Sequence, residues 1–89
     1  TRDFAVVVDK TVLAKQIEDI IKAEGGNILE SFKLFDVYEG DQIGEGLKNI
    51  AYTVTYRDRK RTLTDEEVKT IHNSILTEIN KKLGGKLRQ

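Results

Sequence analysis

Along this chain the spacing of apolar residues switches from one period to another, and the order of the switches leaves few folds open. Phe4-Ala5-Val6-Val7-Val8 lies between Asp3 and Asp9 and is dominated by β-branched residues, which predicts a short strand buried on at least one face. Leu13, Ile17, Ile20 and Ile21 then recur at i, i+4, i+7 and i+8, the stripe of an amphipathic helix over residues 12–24. Thr11 is placed to cap that helix and Gly25-Gly26 to end it. Residues 27–39 read as a second strand with imperfect alternation. Phe35 and Val37 share one face, expected to be the helix side, and Asp36 and Tyr38 share the other. Ile28, Phe32 and Leu34 fall on the Tyr38 parity, which points to a bulge or to a stretch packed on both sides.

The loop Gly40-Asp41-Gln42-Ile43-Gly44-Glu45-Gly46 separates this strand from a third, in which Ile50, Tyr52, Val54 and Tyr56 alternate with Asn49, Ala51, Thr53 and Thr55. Clean alternation predicts one buried face and one that is small and polar. Arg57-Asp58-Arg59-Lys60-Arg61 is a basic connection of net charge plus three. Thr64 opens a second helix: Thr64 and Glu67 form a capping box, Leu63 and Val68 a hydrophobic staple, and Asp65, Glu66 and Glu67 complement the helix dipole. The stripe Val68, Ile71, Ile75, Leu76, Ile79, Leu83 runs to Gly84-Gly85, and residues 86–89 make a short edge strand at best. The order is β-α-β-β-α-β. With right-handed crossovers this gives an α+β, ferredoxin-like sandwich: a four-stranded antiparallel sheet in order 4-1-3-2 with both helices on one face. No repeat or linker interrupts it, so residues 1–89 form a single domain.

Composition narrows the function. Fifteen Lys and Arg balance fifteen Asp and Glu, which argues against a polybasic nucleic-acid wrapper and against an acidic tail. Without Cys there is no disulfide framework, thiolate nucleophile or Cys-type zinc site, and the single His leaves no His-rich metal site. The longest apolar run, residues 4–8, is far short of the ~20 residues that span a bilayer, so the segment is expected to be soluble and free of membrane contact.

No residue reads as catalytic and none as a metal ligand. His72 sits beside the apolar stripe of the second helix, where partial cover by packing explains it. Asp65, Glu66 and Glu67 are explained as a cap. Gly44-Glu45-Gly46 joins two strands and opens no helix, so it is no dinucleotide fingerprint. The helix-free sheet face is more informative. It should carry Ala5, Val7, Asp36, Tyr38, Asn49, Ala51 and Thr53, with Tyr38 opposite Asn49, Val37 opposite Ile50 and Asp36 opposite Ala51. Such a face can admit a planar base: Tyr38 stacks, Asp36 accepts from a base edge, and Asn49 donates or accepts. The bland alternatives are an edge aromatic covering its neighbours for Tyr38, and a solvated turn for residues 57–61. Tyr52 and Tyr56 have core parity, which disfavours the stacking mode of an RNA recognition motif.

The strings RDFAVVVD (2–9), SFKLFDVYEG (31–40), EGLKNIAY (45–52) and RTLTDEEV (61–68), in this order and spacing, closely resemble one module over essentially the whole chain. It is the C-terminal ferredoxin-fold anticodon-binding domain of bacterial-type phenylalanyl-tRNA synthetase beta subunits. The resemblance implies an excised, non-catalytic domain that recognises the anticodon stem-loop of phenylalanine tRNA in cytoplasmic protein biosynthesis. It implies that the first anticodon base packs on the open face against Ala5, Asp36 and Tyr38. Asn49 stands where the family commonly has a small hydroxyl residue, and hydrogen bonding there remains available. Arg2, Lys48, Arg57, Arg59, Lys60 and Arg61 are candidate phosphate contacts. The domain itself would hold no cofactor. ATP and magnesium are implied for the parent enzyme, whose alpha subunit and remaining beta-subunit domains, in a heterotetramer, are the implied protein partners. The rival reading is a ferredoxin-like regulatory or protein-interaction module using the same open face, since fold alone does not separate these uses. An acylphosphatase-like enzyme would need an Arg-bearing loop after the first strand, and Asp9-Lys10-Thr11 offers none.

Overall fold

The computed structural model describes residues 1–58 and 60–87. Its elements are β1 (Arg2–Asp9), α1 (Ala14–Gly25), a 3-10 turn (Gly26–Ile28), β2 (Leu29–Tyr38), β3 (Leu47–Tyr56), α2 (Asp65–Leu83) and β4 (Lys86–Leu87). The strands form one antiparallel sheet in the order β2-β3-β1-β4, which is the expected order seen from the other edge. The alternation in β1 and β3 turns Phe4, Val6 and Val8, and Ile50, Tyr52 and Val54, to one side. There they pack with Ile17, Ile20 and Ile21 of α1 and Ile75 and Ile79 of α2. Each such side chain contributes roughly 1.5–3 kcal/mol by leaving water. The Tyr52 ring sits in this core, yet its hydroxyl donates to Glu18 Oε2 at 2.8 Å. Burial and that carboxylate hold the Tyr52 phenol far above its ordinary pKa.

α2 begins as expected. The Thr64 hydroxyl accepts from the Glu67 N–H at 3.2 Å, and Glu67 Oε1 accepts from the Thr64 N–H at 3.3 Å. α1 begins differently. Asp9 Oδ1 takes both the N–H and the hydroxyl of Thr11, so Thr11 is held in a turn off β1 and caps nothing. The helix starts after Leu13, whose N–H donates to Gln16 Oε1 at 2.8 Å.

The break in the parity of β2 is a real irregularity, and its position changes one expectation. The register shifts twice, between Leu29 and Ser31 and between Leu34 and Asp36; at the second shift Leu34 lies opposite Tyr52 and Asp36 opposite Ala51. Phe35 is the extra residue, so it is not turned to the helices with Val37. A bulge places two residues against one partner, and Phe35 accompanies Asp36 against Ala51. Downstream of it Val37 opposes Ile50 and Tyr38 opposes Asn49, as expected. β2 is a largely exposed edge strand, with Phe35 52% and Val37 50% exposed.

Candidate nucleic-acid interface

Register defines three rows across the helix-free face. Ala5, Ala51 and Asp36 lie side by side on β1, β3 and β2, with Phe35 at the bulge beside Asp36. One row on, Lys86, Val7, Asn49 and Tyr38 cross all four strands. The row on the other side is Asp3, Thr53 and Lys33, in which the Thr53 hydroxyl donates to Asp3 Oδ1 at 2.8 Å. Strands lie ~4.8 Å apart, so Ala5 and Asp36 face each other across roughly 10 Å of alanine floor.

Two adjacent alanines flanked by larger residues make a depression. A shallow hollow is lined here by Asp3, Ala5, Phe35, Asp36, Asn49, Ala51 and Leu87, and by Phe4 beneath. Ala51 and Asn49 are each only 4% exposed, although the open face was expected to show them to solvent. They are short side chains lying below taller neighbours. Asn49 Oδ1 is buried without a hydrogen-bond partner, an unmet polar demand in the floor of the hollow.

Tyr38 stands at the corner of this arrangement. Its ring reaches along the chain rather than over the hollow, and its hydroxyl lies where a Cβ on Gly40 would come within 2.6 Å. Gly40 has no left-handed φ, so the space it leaves for the ring is what its missing side chain supplies. Ala5, Asp36 and Asn49 are therefore brought together in one hollow, while Tyr38, opposite Asn49, lies outside its lining.

The cations are placed less uniformly. Arg2 pairs with Val54 and lines a separate hollow with Tyr56, His72 and Asp65, on the helix side of the sheet end. Lys48 pairs with Val8 and so carries core parity. Arg57 meets Glu30 at 3.4 Å, and Arg61 meets Glu67 at 2.7 Å and Asp58 at 3.5 Å. This ion pairing and the Thr64 contacts hold the Glu67 carboxyl down at about 2. Lys60 is exposed in the same loop, and Arg59 lies outside the described residues. Sequence reasoning missed Phe35, which the bulge turns outward, and Lys33, which has open-face parity only once the bulge is placed.

His72 is more buried than a boundary residue, at 7% exposure, with Nδ1 2.8 Å from the Tyr56 hydroxyl and its ring edge-on to Phe4. Burial, with Arg2 nearby, lowers its pKa, while burial raises the Tyr56 hydroxyl to about 12. The pair seals the end of the core. Among the described residues no group of three or more His, Cys, Asp or Glu stands ready to hold a metal ion, and no helix is long and apolar enough to cross a membrane.

The family model described as the ferredoxin-fold anticodon binding domain matches residues 1–88. The phenylalanine–tRNA ligase beta subunit of Clostridium acetobutylicum is 48% identical over 88 residues, covering 99% of this chain and 11% of that protein. Those of Clostridium tetani and Bacillus cereus are 52% and 47% identical, over 98% and 100% of this chain and again 11% of their own lengths. The chain thus spans about a ninth of the relatives it matches. With its strand order, its helix-free face and this match over nearly every residue, the chain belongs to the ferredoxin-fold anticodon binding domain family.

Proposed function

We propose that the chain is a non-catalytic reader of the anticodon stem-loop of phenylalanine tRNA, acting as one domain of a phenylalanine–tRNA ligase beta subunit. The observation that carries this is the convergence of Ala5, Asp36 and Asn49 on one hollow of the helix-free face, with Tyr38 next to Asn49 on the neighbouring strand. The alanine floor leaves room for a flat ring, and Tyr38 offers a stacking surface. The Asp36 carboxylate only accepts, so it favours a base edge that presents N–H groups. Lys60 and the arginines of the 57–61 loop, with Arg2 and Lys48, are secondary candidates for phosphate contact. ATP, magnesium and the aminoacylation step are assigned to the rest of a cytoplasmic heterotetramer, whose alpha subunit and other beta-subunit domains are this domain's protein partners.

Base stacking is worth ~1–3 kcal/mol, so Tyr38→Ala should weaken binding of a phenylalanine anticodon stem-loop by about 5- to 150-fold. Fluorescence titration measures this directly, and an unchanged affinity would remove Tyr38 as the platform. A protein-interaction module remains the second reading, supported by the exposed β2 edge with Leu34, Phe35 and Val37. Light scattering that shows dimers dissociating on a β2 charge substitution would favour it over RNA binding.

A further inference from the structure

We propose that Phe35 is a second stacking platform, so that this face holds two neighbouring unpaired bases of an RNA loop rather than one. The inference rests on the anticodon-loop reading and adds to it a residue and a nucleotide subsite. Phe35 is the inserted residue of the β2 bulge. Bulges re-aim side chains, and this one carries an aromatic ring out of the core and into the wall of the hollow shared with Ala5, Asp36 and Asn49. The ring is 52% exposed and has no place in the core cluster, so folding leaves its apolar face largely unused. An aromatic face presented beside a carboxylate and above an alanine floor suits an unstacked base.

One base does not use both rings. Phe35 and Tyr38 are three residues apart, about 10 Å along an extended strand. The Tyr38 ring leans further away, over Gly40. A base on Tyr38 therefore leaves Phe35 uncovered, with Asp36 between the two rings. Lys33, exposed on the next row beyond Phe35, stands where the phosphate of that second nucleotide would run.

The test uses the full-length, assembled protein and phenylalanine tRNAs made abasic at one anticodon-loop position at a time. Phe35→Ala and Phe35→Leu should each weaken binding of intact tRNA by about 5- to 150-fold, while Phe35→Tyr retains affinity and the melting temperature stays unchanged. The abasic position that cancels the Phe35→Ala loss should be adjacent to, and different from, the one that cancels the Tyr38→Ala loss. If one position cancels both, the two rings serve a single base and the proposal falls. If Tyr38→Ala and Asp36→Asn weaken binding while Phe35→Ala and Phe35→Leu do not, the second subsite is wrong and the anticodon reading stands. If none of these substitutions matters, both fall together.

Discussion

His72 is the residue at which sequence and environment diverge most. A lone histidine beside a helix stripe looks unremarkable, yet this one is buried with Nδ1 at 2.8 Å from the Tyr56 hydroxyl. The neutral ring can accept there; the protonated ring cannot, and it would place a charge among Phe4, Tyr56 and Leu76 near the cationic Arg2. The folded state therefore binds the proton less readily than the unfolded chain, whose histidine has the ordinary value of 6.5. A depressed folded pKa contributes stability that is present above pH 6.5 and is lost as pH falls toward the folded pKa. Urea midpoints should thus drop between pH 7 and the folded pKa in the native chain, and His72→Gln, which keeps an acceptor but does not titrate, should flatten that slope. Glu67 adds a second loss as pH falls from 4.5 toward about 2, and that loss is common to both proteins. Parallel pH slopes for the two proteins would show that His72 is not the group responsible.

Elements inherit such local details, and the β2–β3 hairpin shows how. Its turn is tied by the Gly40 carbonyl, which accepts from the Ile43 and Gly44 N–H groups at 3.0 and 3.2 Å. The Tyr38 ring rests against Gly40 itself. Gly40→Ala is expected to push the ring aside because the new Cβ would sit 2.6 Å from its hydroxyl and 2.9 Å from Cζ. The outcome should be weaker stem-loop binding with little change in melting temperature, measured side by side; full affinity would show that the ring adapts freely. The order of elements was legible because each carries its own period, and the Thr64–Glu67 box marked the start of α2 to the residue. The start of α1 was not legible from Thr11, because Asp9 competes for the same hydroxyl. The parity conflict in residues 28–38 announced irregularity in β2 without locating its two register shifts, since alternation cannot say which residues are the extra ones. That choice decided whether Phe35 belonged to the core or to the open face. That Ala5, Asp36, Tyr38 and Asn49 share the helix-free face was legible because strand partners share a face, whereas the burial of Asn49 depends on the height of its neighbours.

For the molecule as a whole, zero net charge acquires a spatial meaning. Two cations of the basic loop are answered within the fold: Arg57 by Glu30, and Arg61 by Asp58 and Glu67. The helix-free face instead carries Lys33 on β2 and Lys86 on β4, in the two rows that flank the one containing Asp36. Affinity gained from phosphates grows with the number of counterions released, about 0.7 in the log–log salt slope for each contact to a single strand. Two lysines then give a slope of about −1.4, and base stacking, which salt leaves largely alone, supplies the rest. The 89-residue chain should therefore bind an anticodon stem-loop weakly, with an affinity poorer than micromolar at physiological salt, and with a shallow salt dependence. Lys33→Gln and Lys86→Gln should each flatten the slope by roughly 0.7 while preserving discrimination among bases, because phosphate contacts position and base contacts specify. A slope of about −5 would require some seven phosphate contacts and would return the binding to the paired arginines of the loop. Loss of base discrimination in the lysine variants would instead show that those side chains reach the bases themselves.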